Sequence, residues 1–217
     1  MCAISGSFHP GQLSTLYNRQ LDRGSITHSL SAYDYEKHTL KIIKKGEGEL
    51  LESDFKSLKY NKTTYYIVHS QAPTGLSTVD VNIHPAEETY IYGQTSYLWH
   101  NGIIKSNEVE RLNNIYSTNI TWDTKLLLHI LIKKEDLSEI DGQFACLFVD
   151  PDSRLHIFRN DLAPLFIDGE FNISSTKFEN SHEVPSCTMW WLDFPRFSLV
   201  PVIRFNTKVH PYFFPED

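Results

Sequence analysis

The chain has 217 residues, 41% of them hydrophobic and 22% charged, with 20 Lys and Arg against 27 Asp and Glu for a formal net charge of -7. That is apolar material enough for one large domain with a full core, and the charge balance lacks the basic face that displaces counterions from nucleic acid, so no nucleic-acid partner is expected. Neither an apolar leader nor a run of about 18 apolar residues appears, and the 3 cysteines, at positions 2, 146 and 187, are odd in number and scattered; a cytoplasmic, reducing setting with no membrane span and no disulfide framework is expected.

The first residues carry the strongest chemical signal. Removal of Met1 would expose a thiol and an α-amine on Cys2. An α-amine titrates near about 7.7–8.0, so a useful fraction is unprotonated at neutral pH, and a base needs only hydrogen-bond reach to its proton, directly or through one water. Nucleophile and base then sit on one residue, provided the terminus is held rigidly. The stretch Ala3 to Phe8 alternates apolar and small polar residues and reads as the strand that would hold it.

From Gly11 to Leu21 a short helix is expected, with Leu13, Leu16 and Tyr17 on one face. Segments 31–35, 40–45 and 63–70 are rich in aromatic and β-branched residues and read as strands, and 49–60 reads as a polar linking helix or loop. Residues 89–93 and 97–104 predict further strands, with Asn101-Gly102 as a hairpin turn signal. A clear helix follows Asp123, which stands where an acidic residue caps or favours a helix start; Leu126, Leu127, Ile130 and Leu131 form its apolar stripe. Segments 144–150 and 155–159 predict two strands around Asp150-Pro151-Asp152-Ser153, and 165–174 a third segment turning at Asp168-Gly169. Residues 1–180 are expected to form the body. Residues 181–217, with Trp190, Trp191, Phe194 and Phe197, are expected to be an irregular arm with one or two short strands packed on it.

Several short motifs stand in order along this chain: Met1-Cys2-Ala3-Ile4-Ser5-Gly6, Arg23-Gly24, His69-Ser70-Gln71-Ala72-Pro73-Thr74, His84-Pro85, His100-Asn101-Gly102, Asp123-Thr124 before the leucine-rich helix, Asp141-Gly142-Gln143-Phe144-Ala145, and Arg159-Asn160-Asp161 near Pro164-Leu165. The series, over roughly residues 2 to 180, resembles the glutaminase domain of the class II glutamine amidotransferases, which are N-terminal-nucleophile hydrolases. The resemblance implies an α+β fold, a four-layer αββα sandwich with two packed antiparallel sheets. It also implies that Cys2 attacks the side-chain amide of glutamine to give a γ-glutamyl thioester and ammonia, with its own amine shuttling the proton.

The same resemblance gives roles to individual positions. Asn101 and the Gly102 N–H would form an oxyanion hole, the reading that competes with a plain hairpin turn. Asp123 would accept the substrate ammonium, in competition with a helix cap. Gln71, Thr74 and His84 would line the substrate pocket. Arg23 and His69 would support it, although Arg23 also reads as a solvent-exposed loop charge. The family clamps the substrate carboxylate with an arginine where this chain has the neutral Gln71, which forfeits about 1.5–3 kcal/mol if a carboxylate still binds there. Glutamine itself or a related small amide is therefore the expected substrate. His69, His84 and His100 lack the close pair spacing of common metal sites, so neither a metal nor a cofactor is expected. Residues 181–217 are too short for a synthetase domain; ammonia would pass to a separate synthetase subunit or to water. An amide hydrolase with a non-glutamine substrate and an inactive interaction module on the same fold are the alternatives.

Overall fold

The computed structural model describes residues 2–72, 82–90 and 93–208. In chain order its elements are β1 (Ala3–Ser7), α1 (Pro10–Asn18), β2 (Thr27–Asp34), β3 (Thr39–Glu47), α2 (Glu52–Lys56), β4 (Thr64–Gln71), β5 (Ala86–Thr89), β6 (Thr95–Ile104), α3 (Ser106–Tyr116), α4 (Asp123–Lys133), β7 (Gly142–Val149), β8 (Leu155–Arg159), β9 (Phe166–Ile167), β10 (Ile173–Ser174), β11 (His182–Glu183), β12 (Thr188–Asp193) and β13 (Ser198–Arg204). The strands form a seven-stranded sheet in the order β11-β9-β10-β1-β4-β2-β3 and a six-stranded sheet in the order β13-β12-β8-β7-β6-β5. Every pairing in both is antiparallel.

Alternation along the strands builds the layers. Ile4, Tyr65 and Ile67 from one sheet meet Trp99, Ala145, Leu147 and Ile157 from the other in a central core. The opposite face of β4 puts Tyr66 and Val68 against Leu13 and Tyr17 of α1 and Phe55 of α2. On the far side, Leu98, Phe144, Cys146 and Phe158 pack against the leucine stripe of α4 and against Val109 and Leu112 of α3. Because successive strand side chains point to opposite faces, both sheets are covered twice. The result is an α+β sandwich of helices, two sheets and helices.

Several expectations meet a different geometry. Asn101-Gly102 is not a turn: β6 runs through both residues in unbroken register with β7, from Tyr97 opposite Val149 to Ile104 opposite Gly142. A turn dipeptide stays extended here because ladder pairing over the whole strand outweighs a local preference. α3 was not expected, although Val109, Leu112 and Tyr116 have helical spacing; Ser117, at φ 52°, closes it where a glycine would be the usual signal. Beyond residue 180, β11 pairs with β9, and β12 joins β8 and is followed by β13, so this stretch extends both sheets.

Candidate active site

Cys2 lies one residue before β1. In the β1–β4 register Ala3 faces Ser70 and Ile4 faces His69, so one step further sets Cys2 opposite Gln71. Ile4 belongs to the central core, and the period of two puts the Cys2 side chain on that same inner face. Arg23 Nε donates to the Cys2 carbonyl at 3.3 Å, which pins the backbone at Cys2. Gly24 follows because the turn passes so close to β4 that a Cβ there would stand 2.4 Å from the Ala72 nitrogen. Burial pushes the Cys2 thiol up from its ordinary value; Asp123 adds to the rise and Arg23 opposes it. A thiol that stays protonated needs a base at hand, and the α-amine that removal of Met1 would expose on the same residue would be one.

The open edge of β6 supplies hydrogen-bond donors. Phe144 spends its N–H on Asn160 Oδ1 (3.3 Å) and its carbonyl on the Asn160 N–H (3.0 Å), both on the side away from β6. Its pair with Gly102 is therefore a non-hydrogen-bonded one, and the Gly102 N–H points outward past the end of β5. Two residues on, the Ile104 N–H leaves the same edge and donates to Asp123 Oδ2 at 3.2 Å. Asn101 points to the inner face, like Trp99. Its side-chain oxygen is buried without a hydrogen-bond partner, and its nitrogen is bonded to no described residue. Among the described residues this amide and this adjacent backbone N–H are uncommitted, and two such donors are what a developing oxyanion requires. Glycine is obligatory at 102: its φ is 156°, and a Cβ would lie 1.8 Å from the Gln143 carbonyl oxygen and 2.7 Å from His100 Nε2.

Behind this edge runs a buried polar ladder. Gln71 Oε1 lies 3.2 Å from both Thr27 Oγ1 and His84 Nδ1. His84 Nε2 is 3.1 Å from Thr124 Oγ1, which is 3.2 Å from His100 Nδ1, and His100 Nε2 is 3.1 Å from the Gln143 carbonyl. His69 Nε2 donates to the His100 carbonyl at 3.1 Å. Burial drives His84 well below the usual histidine range and His69 down to about 3, so both rings are neutral at physiological pH.

Asp123 is the first residue of α4. Its Oδ1 accepts from the Thr124 N–H at 2.7 Å while Oδ2 holds Ile104, so one carboxylate ties the helix start to the edge of β6. A side chain 24% exposed keeps lone pairs open to solvent. Lys125, poorly placed for a helix start, is held by Glu88 at 3.2 Å. The structure thus brings Cys2, Arg23, His69, Gln71, His84, Asn101, Gly102 and Asp123 to one end of the two sheets; Thr74 lies outside the described residues. Thr124 enters the sequence reading only as part of the Asp123-Thr124 motif, and Thr27, which completes the ladder with it, carries no signal beyond its neighbours. Among the described residues no group of three or more His, Cys, Asp or Glu side chains is arranged to hold a metal ion, and no helix is long and apolar enough to cross a membrane.

No family model matches the sequence, and no curated protein matches it either. Solved structures do match in shape. A glutamine phosphoribosylpyrophosphate amidotransferase from B. subtilis, complexed with ADP and GMP, is similar at a TM-score of 0.67 with 19% identity, covering 96% of this chain and 50% of that one. A structure described as the allosteric regulatory enzyme of purine biosynthesis is similar at a TM-score of 0.66 with 17% identity and the same two coverages, 96% and 50%. The chain spans about half the length of these proteins. Their likeness is one of fold, the N-terminal-nucleophile hydrolase sandwich.

Proposed function

We propose that this chain is an amide hydrolase of the glutaminase type, with Cys2 as nucleophile. The observation that carries the reading is a pair of donors uncommitted among the described residues, the Asn101 amide on the inner face and the Gly102 N–H on the edge of β6, at the same end of the two sheets as a cysteine that can become the chain terminus. The α-amine of Cys2 takes the thiol proton as sulfur bonds to the carboxamide carbon. The oxyanion rests on Asn101 and Gly102, where one such donor is typically worth about 3–4 kcal/mol. Collapse breaks the C–N bond, the ammonium of Cys2 returns its proton to the leaving nitrogen, and ammonia departs from a thioester. Water, deprotonated by the same amine, then attacks the thioester carbonyl; the C–S bond breaks, and a carboxylic acid and the free thiol are regenerated.

In this reading residues 1–180 carry the chemistry, and the described residues beyond them, 181–208, extend the two sheets. The ammonia passes to water or to a synthetase subunit; Phe197, Val202 and Ile203, all exposed at or beside β13, support a seat for such a subunit. The placement of Gln71 between Thr27 and His84 favours a second reading, in which the amide is not free glutamine. The decisive experiment combines intact-mass analysis with ammonia release and labelling by a glutamine-analogue electrophile. Loss of Met1, label on Cys2 and ammonia production support the proposal. Retained or acetylated Met1 in active protein, or undiminished turnover in Cys2→Ala, sinks it.

A further inference from the structure

The polar ladder has a direction, and the direction is set at one end. The Gln143 carbonyl can only accept, so His100 carries its proton on Nε2. In a neutral ring Nδ1 is then an acceptor, and the atom facing it is the Thr124 hydroxyl. Thr124 has one proton to give; Asp123 Oδ1, 3.3 Å from the hydroxyl, already accepts the Thr124 N–H, whereas His100 Nδ1 has no other donor among the described residues. With that proton on His100, the hydroxyl must accept from His84 Nε2–H, which leaves His84 Nδ1 as an acceptor. The Gln71 atom facing it, 3.2 Å away, has to be a donor. Side-chain amide oxygen and nitrogen are told apart by their hydrogen-bond partners, and here the partners place the nitrogen toward His84 and Thr27. The Gln71 oxygen then occupies the other amide position, which is bonded to no described residue and is not sealed from solvent.

The wall opposite Cys2 therefore offers acceptors: the Gln71 oxygen and the Asp123 carboxylate. Among the described residues the neighbouring cations are engaged elsewhere: Arg23 donates its Nε to the Cys2 carbonyl, and Lys45 and Lys125 are held by Glu87 and Glu88. A substrate with an ammonium and a neighbouring N–H would satisfy both groups. We propose that the amide taken by this cleft is an amino-terminal glutaminyl residue whose α-carboxyl is already in peptide linkage, and that Gln71 is the specificity-determining residue. The inference rests on the amide-hydrolase reading above. The α-ammonium pairs with Asp123, and the N–H of the following peptide bond donates to Gln71, while the side-chain carboxamide reaches Cys2. The reaction converts an amino-terminal glutaminyl peptide and water into the glutamyl peptide and ammonia.

The test compares ammonia release by the intact chain at pH 8 from glutaminyl-glycine and from glutamine. A Cys2→Ala blank corrects for spontaneous cyclisation of amino-terminal glutamine, and mass analysis identifies the product as glutamyl-glycine. The expected result is a kcat/KM at least tenfold higher for the dipeptide, with Gln71→Arg shifting that ratio at least tenfold toward glutamine. Equal kcat/KM values, or a preference for glutamine, overturn the inference and leave the hydrolase reading standing. Ammonia from neither substrate overturns both. The wild-type ratio decides the matter even where Gln71→Arg does not fold.

Discussion

The imidazole rings of His69 and His84 stack at 3.8 Å between centroids, inclined by 23°, in a layer that admits no solvent to either ring. Two such rings cannot both charge without repulsion and desolvation, and the burial that lowers each makes the folded state the poorer proton binder. Between the unfolded value near 6.5 and the folded value of His69, about 3, the unfolded chain binds more protons. Stability is full above pH 6.5 and falls as pH drops toward 3, at about 1.4 kcal/mol per pH unit for each ring. Urea midpoints measured between pH 8 and 4 check this; a flat profile across that window would contradict the buried neutral pair.

Asn101→Ala removes a donor that makes no structural hydrogen bond, so the chain should fold with an unchanged melting temperature. Its kcat for ammonia release should fall about 100- to 1000-fold. Thermal denaturation beside steady-state kinetics separates the two effects.

Gly102→Ala drives a methyl group into the Gln143 carbonyl and the His100 ring. The clash is with the Gln143 backbone on one side and the buried His100 side chain on the other, and about 3 kcal/mol is the expected cost. For a chain of this size that lowers Tm by about 6–12 °C, and calorimetry reads it directly.

Asp123→Asn keeps an acceptor for the Thr124 N–H but removes the charge that faces the cleft. KM should rise on the order of ten- to a hundredfold while kcat changes little, the signature of ground-state binding lost. A fall in kcat with KM unmoved would assign Asp123 to the chemistry instead.

The ladder from Gln143 to Gln71 predicts that His84 and His100 are both protonated at Nε2 at pH 8. Nitrogen chemical shifts of the two rings report the tautomers. Thr124→Val should leave both rings without their shared hydroxyl and cost about 1–3 kcal/mol for each unpaired group.

Much of this was legible from local pattern. The strand at Ala3–Ser7, the α4 stripe from Leu126 to Leu131 and the β7–β8 hairpin at Asp150–Ser153 follow from periodicity and turn chemistry, which act over a few residues. The pocket residues were named through the order of short motifs. Asn101-Gly102 misled as a turn because its extended geometry is imposed by β7, some 40 residues away along the chain. α3 escaped because its polar residues dilute a three-residue stripe that gains its meaning only against α4.

The order of short motifs was enough to imply an α+β chain, and the Met1-Cys2 start to raise the expectation of a nucleophile there, since those features depend on neighbours in sequence. Which way the Gly102 N–H points and whether Asn101 is left free could not be read that way. The same is true of the Gln71 amide orientation, because each is decided by partners brought from distant strands: Asn160 behind Phe144, the Gln143 carbonyl beside His100, and Thr124 between two imidazoles. Hydrogen-bond direction in a buried network is a property of the closed assembly, in which every proton given at one end fixes what can be given at the other.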